Sequence, residues 1–159
     1  DFSSEYVKDW TYIPRKVEPF DQISIFGNQL DREYLRLKAN VDLIITDCPP
    51  LLNCYYAARV LKMPGWENLV NLAMEYEKVY PSINFFINRD ETTFSQIGRF
   101  QNLEESKKID KELYAFYLMY SQGKPLYTFS CNDTDGIYNK VIELLETENK
   151  KPVQPGLFD

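Results

Sequence analysis

The sequence predicts an α/β fold, a three-layer arrangement in which a parallel sheet is flanked by helices. Short runs rich in β-branched and aromatic residues recur at 41–46, 82–87 and 125–130, each bounded by turn-forming residues. Longer stretches with apolar residues at three- and four-residue steps lie between them. Strands that alternate with helices are joined by crossovers, and crossovers make parallel pairs with helices on the sheet faces.

Taken in order, residues 4–12 read as one or two helical turns. They close at Ile13-Pro14, because a residue before proline is driven out of the helical region. The stretch 20–38 is the clearest amphipathic helix, with Ile23, Phe26, Leu30, Tyr34 and Leu37 on one face. Residues 41–46 read as a buried parallel strand ended by Asp47, Cys48 and two prolines. A helix over 51–62 stops at Pro64 and Gly65, and a second covers 66–79. The strand at 82–87 leads into a polar, irregular stretch over 88–101. Helix returns near Glu104, with Ile109, Leu113, Phe116, Tyr117 and Tyr120 on one face. After the strand at 125–130, Ile137, Val141, Leu144 and Leu145 mark a last helix that Asp133 or Thr134 would cap. One domain over 1–147 is expected, followed by a charged, proline-containing tail over 148–159.

Composition narrows the function classes. A chain of 159 residues suits one domain, and its 44% hydrophobic content is that of a globular protein. The net charge of -6 argues against non-specific nucleic-acid binding, which draws its energy from cations on phosphates. There is no histidine, so every His-based catalytic triad is excluded. Cys48, Cys54 and Cys131 lack paired spacing and read as reduced thiols. No run is long enough to cross a membrane and no signal-peptide core is visible. A cytoplasmic protein without membrane contact is expected.

The strongest chemical signal is the apolar run that ends in Asp47. An acid just past a buried parallel strand sits at the carboxyl edge of the sheet, where open α/β sheets bind ligands. In P-loop enzymes this is the acid that holds Mg²⁺, directly or through water. The alternative is an Asp-Pro turn that only terminates the strand. A second signal is the polar stretch with Arg89 and Arg99 after the next strand. Phosphoryl transfer needs cations on the transferring group, and arginines on a closing loop supply them. Two surface arginines paired with Asp90, Glu91 or Glu104 would have the same appearance in sequence.

Several segments taken together carry a family resemblance: 4–9, Asp21 and Gln22 with Gln29, 41–50, Tyr55-Tyr56, 84–89, Gly98-Arg99 and the final strand–helix unit. In this order the chain resembles P-loop kinase and ATPase domains related to the ribosylnicotinamide-kinase domain of the bifunctional NAD-biosynthesis regulator, found in bacteria and bacteriophages. The resemblance implies ATP-dependent phosphoryl transfer to a nucleoside or nucleotide, with ATP and Mg²⁺ as cofactors. Asp47 would be the metal-linked acid, and Arg89 and Arg99 the cations on the transferring group. A carboxylate facing the acceptor hydroxyl is expected at Asp1 or, as second choice, Glu5. Gln29 would face the acceptor, and Asn132 and Asp133 would border the nucleotide base. Where the family has an arginine before its Glu-Tyr pair, this chain has Ser4.

The phosphate-binding G-x-x-x-x-G-K-[ST] loop, with its strand and helix, does not occur in the sequence. The expectation is therefore a further strand–loop–helix unit upstream of Asp1, with its strand lying between those at 41–46 and 82–87. A second functional reading is a non-catalytic nucleotide-binding or protein-interaction module. Gln154, Leu157 and Phe158 resemble the short terminal peptides by which bacterial replication proteins dock on the sliding clamp, so that clamp is a candidate partner.

Overall fold

The structure is a computed structural model and describes residues 1–3, 5–7, 10, 15–39, 41–90 and 101–148. The chain divides into two compact units, one formed by Asp1–Ile83 with Ser95–Pro125 and the other by Asn84–Phe94 with Leu126–Asp159.

Among the described residues, the first unit holds two short strands, β1 (Phe2–Ser3) and β2 (Ile45–Thr46), and four α-helices. These are α1 (Asp21–Lys38), α2 (Pro50–Tyr55, continued as a π-turn over Tyr56–Val60), α3 (Trp66–Val79) and α4 (Leu103–Tyr120). β1 and β2 are parallel, with Phe2 opposite Ile45 and Ser3 opposite Thr46. Their ladder reaches back to Asp1, whose carbonyl accepts the Ile45 N–H at 2.8 Å. Of the strand expected over 41–46, only the last two residues are laddered, and Leu43 and Ile45 are exposed. Tyr6 and Val7 form 3-10 helical turn where one or two helical turns were expected.

The core lies among the helices. Phe26, Cys54, Tyr55, Ala57, Met63, Leu69, Val70, Ala73 and Phe116 form one buried cluster. Phe116 is its aromatic hub, with ring centroids 5.7 Å from Tyr55, 6.2 Å from Trp66 and 4.7 Å from Tyr120. The sequence-expected face of α1 is rotated in the structure. Ile23 and Tyr34 are exposed, whereas Gln22, Ile25, Phe26, Gln29 and Glu33 are buried.

Local chemistry accounts for the helix ends. Pro50 starts α2, where its missing N–H is not needed. Gly65 precedes α3 at φ +76°, a left-handed conformation that disfavours a side chain. α4 opens with a capping box: Asn102 Oδ1 accepts from Glu105 N, and Glu105 Oε2 accepts from Asn102 N, both at 2.9 Å. At the far end of α3, the Glu77 carboxylate accepts from Ser82 N at 2.7 Å and Ser82 Oγ at 2.9 Å. The same Oε1 accepts from Lys124 Nζ at 2.6 Å.

The second unit is built on β3 (Asn84–Asn88), β4 (Leu126–Ser130) and α5 (Thr134–Glu148). The two strands are parallel over five residue pairs, from Asn84 opposite Leu126 to Asn88 opposite Ser130. Phe85 stacks on Phe129 and packs against Tyr127, so one sheet face is aromatic. Asp133 Oδ1 accepts the Gly136 N–H at 3.0 Å and thereby caps α5. The carboxylate folds so closely over Gly136 that a Cβ there would collide with it. All four strands thus pair in parallel, two in each unit. Among the described residues, no helix is long and apolar enough to cross a membrane.

Candidate functional site

In the first unit, the carboxyl edge of the β1–β2 pair gathers the acids. Asp47 follows β2 directly, and Glu5 lies two residues beyond β1. Both are close enough to the buried Cys48 thiol for their charges to oppose its ionisation. Burial is the larger cause, and together with Glu5, Asp47 and Glu33 it pushes the Cys48 thiol well above its ordinary value. Cys54 is pushed up to about 12 by burial alone as the main cause. Neither thiol is a nucleophile at neutral pH.

Asp1 stands at the opposite, amino end of β1. Its ammonium donates to the Leu43 carbonyl, and its carboxylate lies 3.0 Å from Arg36 Nε. Of the two acids considered for the acceptor hydroxyl, Glu5 shares an edge with Asp47 and Asp1 does not.

Beneath that edge runs a buried polar network that hydrophobic periodicity does not reveal. Gln29 is fully buried, and its Oε1 accepts the Tyr6 N–H at 3.2 Å. Its Nε2 donates to Thr46 Oγ1 at 3.2 Å and to Glu33 Oε1 at 3.5 Å. The Gln29 amide is therefore committed within the protein, joining the chain after β1 to the end of β2. Gln29 and Thr46 both favour the ionised form of Glu33, yet burial outweighs them and pushes its acid up to about 7. The neighbouring Tyr76 hydroxyl and Asn53 Nδ2 are buried with no hydrogen-bond partner among the described residues. The sequence signal for this network is the spacing of Gln22, Gln29 and Glu33, at seven and four residues, which places polar groups on one helix face.

The segment beyond Glu5 adds aromatic rings and guanidinium groups. Tyr6 and Trp10 meet edge-on at 6.2 Å, Arg15 lies 3.6 Å over Trp10, and Arg32 lies 5.0 Å over Tyr6. Arg15 also pairs with Asp21 at 3.0 Å.

In the second unit, Arg89 follows β3, and Asn132 and Asp133 follow β4, so the three residues share the carboxyl edge of that pair. Cys131 N donates to the Asn88 carbonyl at 2.9 Å, and Asn132 Nδ2 donates to Asp90 Oδ2 at 3.1 Å. Asp133 is occupied as the cap of α5. Asp47 belongs to the first unit and Arg89 to the second. Arg99, Gln154, Leu157 and Phe158 lie outside the described residues.

Magnesium is commonly held by one or two carboxylates together with substrate phosphates and water. Among the described residues there is no group of three or more His, Cys, Asp or Glu that could cage a metal. An exposed carboxylate such as Asp47 fits the one-carboxylate arrangement.

The Glu33 acid gives a stability signature. Its value rises from 4.5 to about 7 on folding, so between these limits the folded state binds more protons than the unfolded state. Stability therefore falls as pH rises through this window, by on the order of 3 kcal/mol once Glu33 is ionised. Glu33→Gln removes the charge that burial opposes. It is expected to raise the melting temperature at about pH 8 and to leave it nearly unchanged at about pH 4. Thermal melts at the two pH values check this, and equal melting temperatures at the higher pH would sink it.

Compared with protein-family models, with curated proteins and with solved structures, the chain matches none.

Proposed function

We propose that the protein is an ATP-dependent phosphotransferase of the nucleoside- or nucleotide-kinase type, or a related ATPase. The observation that carries this reading is the pair Glu5 and Asp47 at the carboxyl edge of a parallel strand pair, both within electrostatic reach of Cys48. In this reading Asp47 holds the magnesium ion that accompanies the nucleotide phosphates, which shields their charge. Glu5 orients the acceptor hydroxyl and takes its proton as the hydroxyl oxygen bonds the terminal phosphorus and the bond from that phosphorus to the departing nucleoside diphosphate breaks. By the resemblance, Arg89 and Arg99 would supply the cations for the transferring group.

Each unit holds a parallel strand pair, as this reading requires, and phosphoryl transfer from a nucleotide further needs backbone N–H groups and a lysine around the phosphates.

The test is thermal shift of the full-length protein with ATP, Mg²⁺ and a panel of nucleosides. At about 100 times the dissociation constant, a ligand specific to the folded state adds about 2.7 kcal/mol, or roughly 5–10 °C for a chain of this size. No shift with any nucleotide, with or without Mg²⁺, would refute the reading.

A further inference from the structure

The Thr46 hydroxyl stands between the buried acid and the edge that carries Asp47. A threonine hydroxyl has one proton and two lone pairs. Here Thr46 Oγ1 accepts from Gln29 Nε2 at 3.2 Å and from the Cys48 N–H at 3.2 Å. Gln29 Nε2 also donates to Glu33 Oε1 at 3.5 Å, so this amide ties the buried acid to Thr46. The bond from Cys48 N closes a tight turn around Asp47, of the kind serine and threonine side chains form with the backbone two residues on.

We infer that Glu33 is a positioning residue for Asp47: by taking the Gln29 amide proton, its carboxylate holds Gln29 against Thr46, whose hydroxyl closes the turn over 46–48 that presents Asp47. Protonation removes the charge that strengthens the bond from Gln29 Nε2 and turns one carboxyl oxygen into a donor. Protonation of Glu33 therefore loosens Thr46, and the turn that depends on Thr46 loosens with it. Burial moves this change to near neutral pH, with a midpoint at about 7. The groups facing Glu33 are Glu77 and Tyr76 from α3, Cys48 from the turn, Thr46 from β2 and Gln29 from its own helix. Glu77 is itself paired with Lys124 at 2.6 Å. The consequence for catalysis rests on the kinase reading of Asp47, whereas the coupling of Glu33 to the turn does not.

The test is NMR on the full chain without nucleotide, following the Glu33 side-chain carboxyl carbon and the Asp47 and Cys48 amides between about pH 5 and pH 9. In the wild type the two amides should shift with the same midpoint as the Glu33 carboxyl. In Glu33→Gln they should be flat through this range. In Thr46→Val, Glu33 should still titrate while the two amides lose most of their response; Thr46→Ala serves if the valine variant does not fold. Amides that ignore the Glu33 midpoint in the wild type overturn the inference. So do amides that follow it equally well without the Thr46 hydroxyl, since the coupling would then be a through-space field. A chain that binds no nucleotide but shows the coupled shifts leaves the inference standing while the kinase reading fails.

Discussion

If the proposed kinase reading holds, Asp47→Asn in the full-length protein is expected to lower Mg²⁺-dependent nucleotide turnover by about a hundredfold or more, the usual loss when one charge-stabilising group is removed from a transition state. The substitution keeps the shape and removes the charge. Asp47 is exposed, and the turn around it is closed by Thr46 and Cys48 rather than by its own carboxylate. Stability should accordingly stay within about 0.5 kcal/mol of the wild type, as for ordinary surface substitutions. The measurement is steady-state ATP hydrolysis or transfer at saturating Mg²⁺, beside a denaturant melt of the same sample. A variant with more than a third of the wild-type kcat would remove Asp47 from the mechanism.

Phe116→Ala has the largest expected effect on folding. The ring is 3% exposed and meets Tyr55, Trp66 and Tyr120, so truncation leaves a void lined by rigid rings. Rigid walls relax little, and a phenylalanine lost from such a site costs about 3–5 kcal/mol. The edge and tilted ring contacts are part of that loss, each about 0.5–1.5 kcal/mol beyond burial. A domain of ordinary stability has about 5–15 kcal/mol in total, so the first unit becomes marginal. Urea unfolding followed by Trp66 fluorescence reads the change where the cavity forms. A loss below about 1 kcal/mol would mean that the neighbouring rings collapse into the space, contrary to the packing argued here.

The helices were the legible part of this sequence. The periodic stretch at 20–38 is α1, 66–79 is α3, and the apolar face that includes Phe116 and Tyr117 lies on α4. Long periodic segments carry many consistent positions, which is why they survive the noise of single residues. The strands at 82–87 and 125–130 lie within one or two residues of β3 and β4. Less was legible where few residues decide. β1 is two residues long and gives no period, so which of Asp1 and Glu5 shares an edge with Asp47 was not legible. The π-turn at Tyr56–Val60 has the composition of an ordinary helix, because the extra residue per turn leaves no mark on side-chain type. The buried Gln29–Glu33–Thr46 network was missed for a physical reason. Amphipathic analysis assigns polar side chains to water, whereas these three satisfy one another inside the protein.

The Glu77 carboxylate has a consequence for how the second sheet assembles. It grips Ser82 and Lys124 at once, and these residues stand two positions before Asn84 and Leu126, the first paired residues of β3 and β4. Two segments more than forty positions apart in the chain therefore set out from a common anchor, already alongside each other. Zippering of the parallel ladder then proceeds from a fixed end, and the entropy of closing the long intervening loop is spent before the first rung forms.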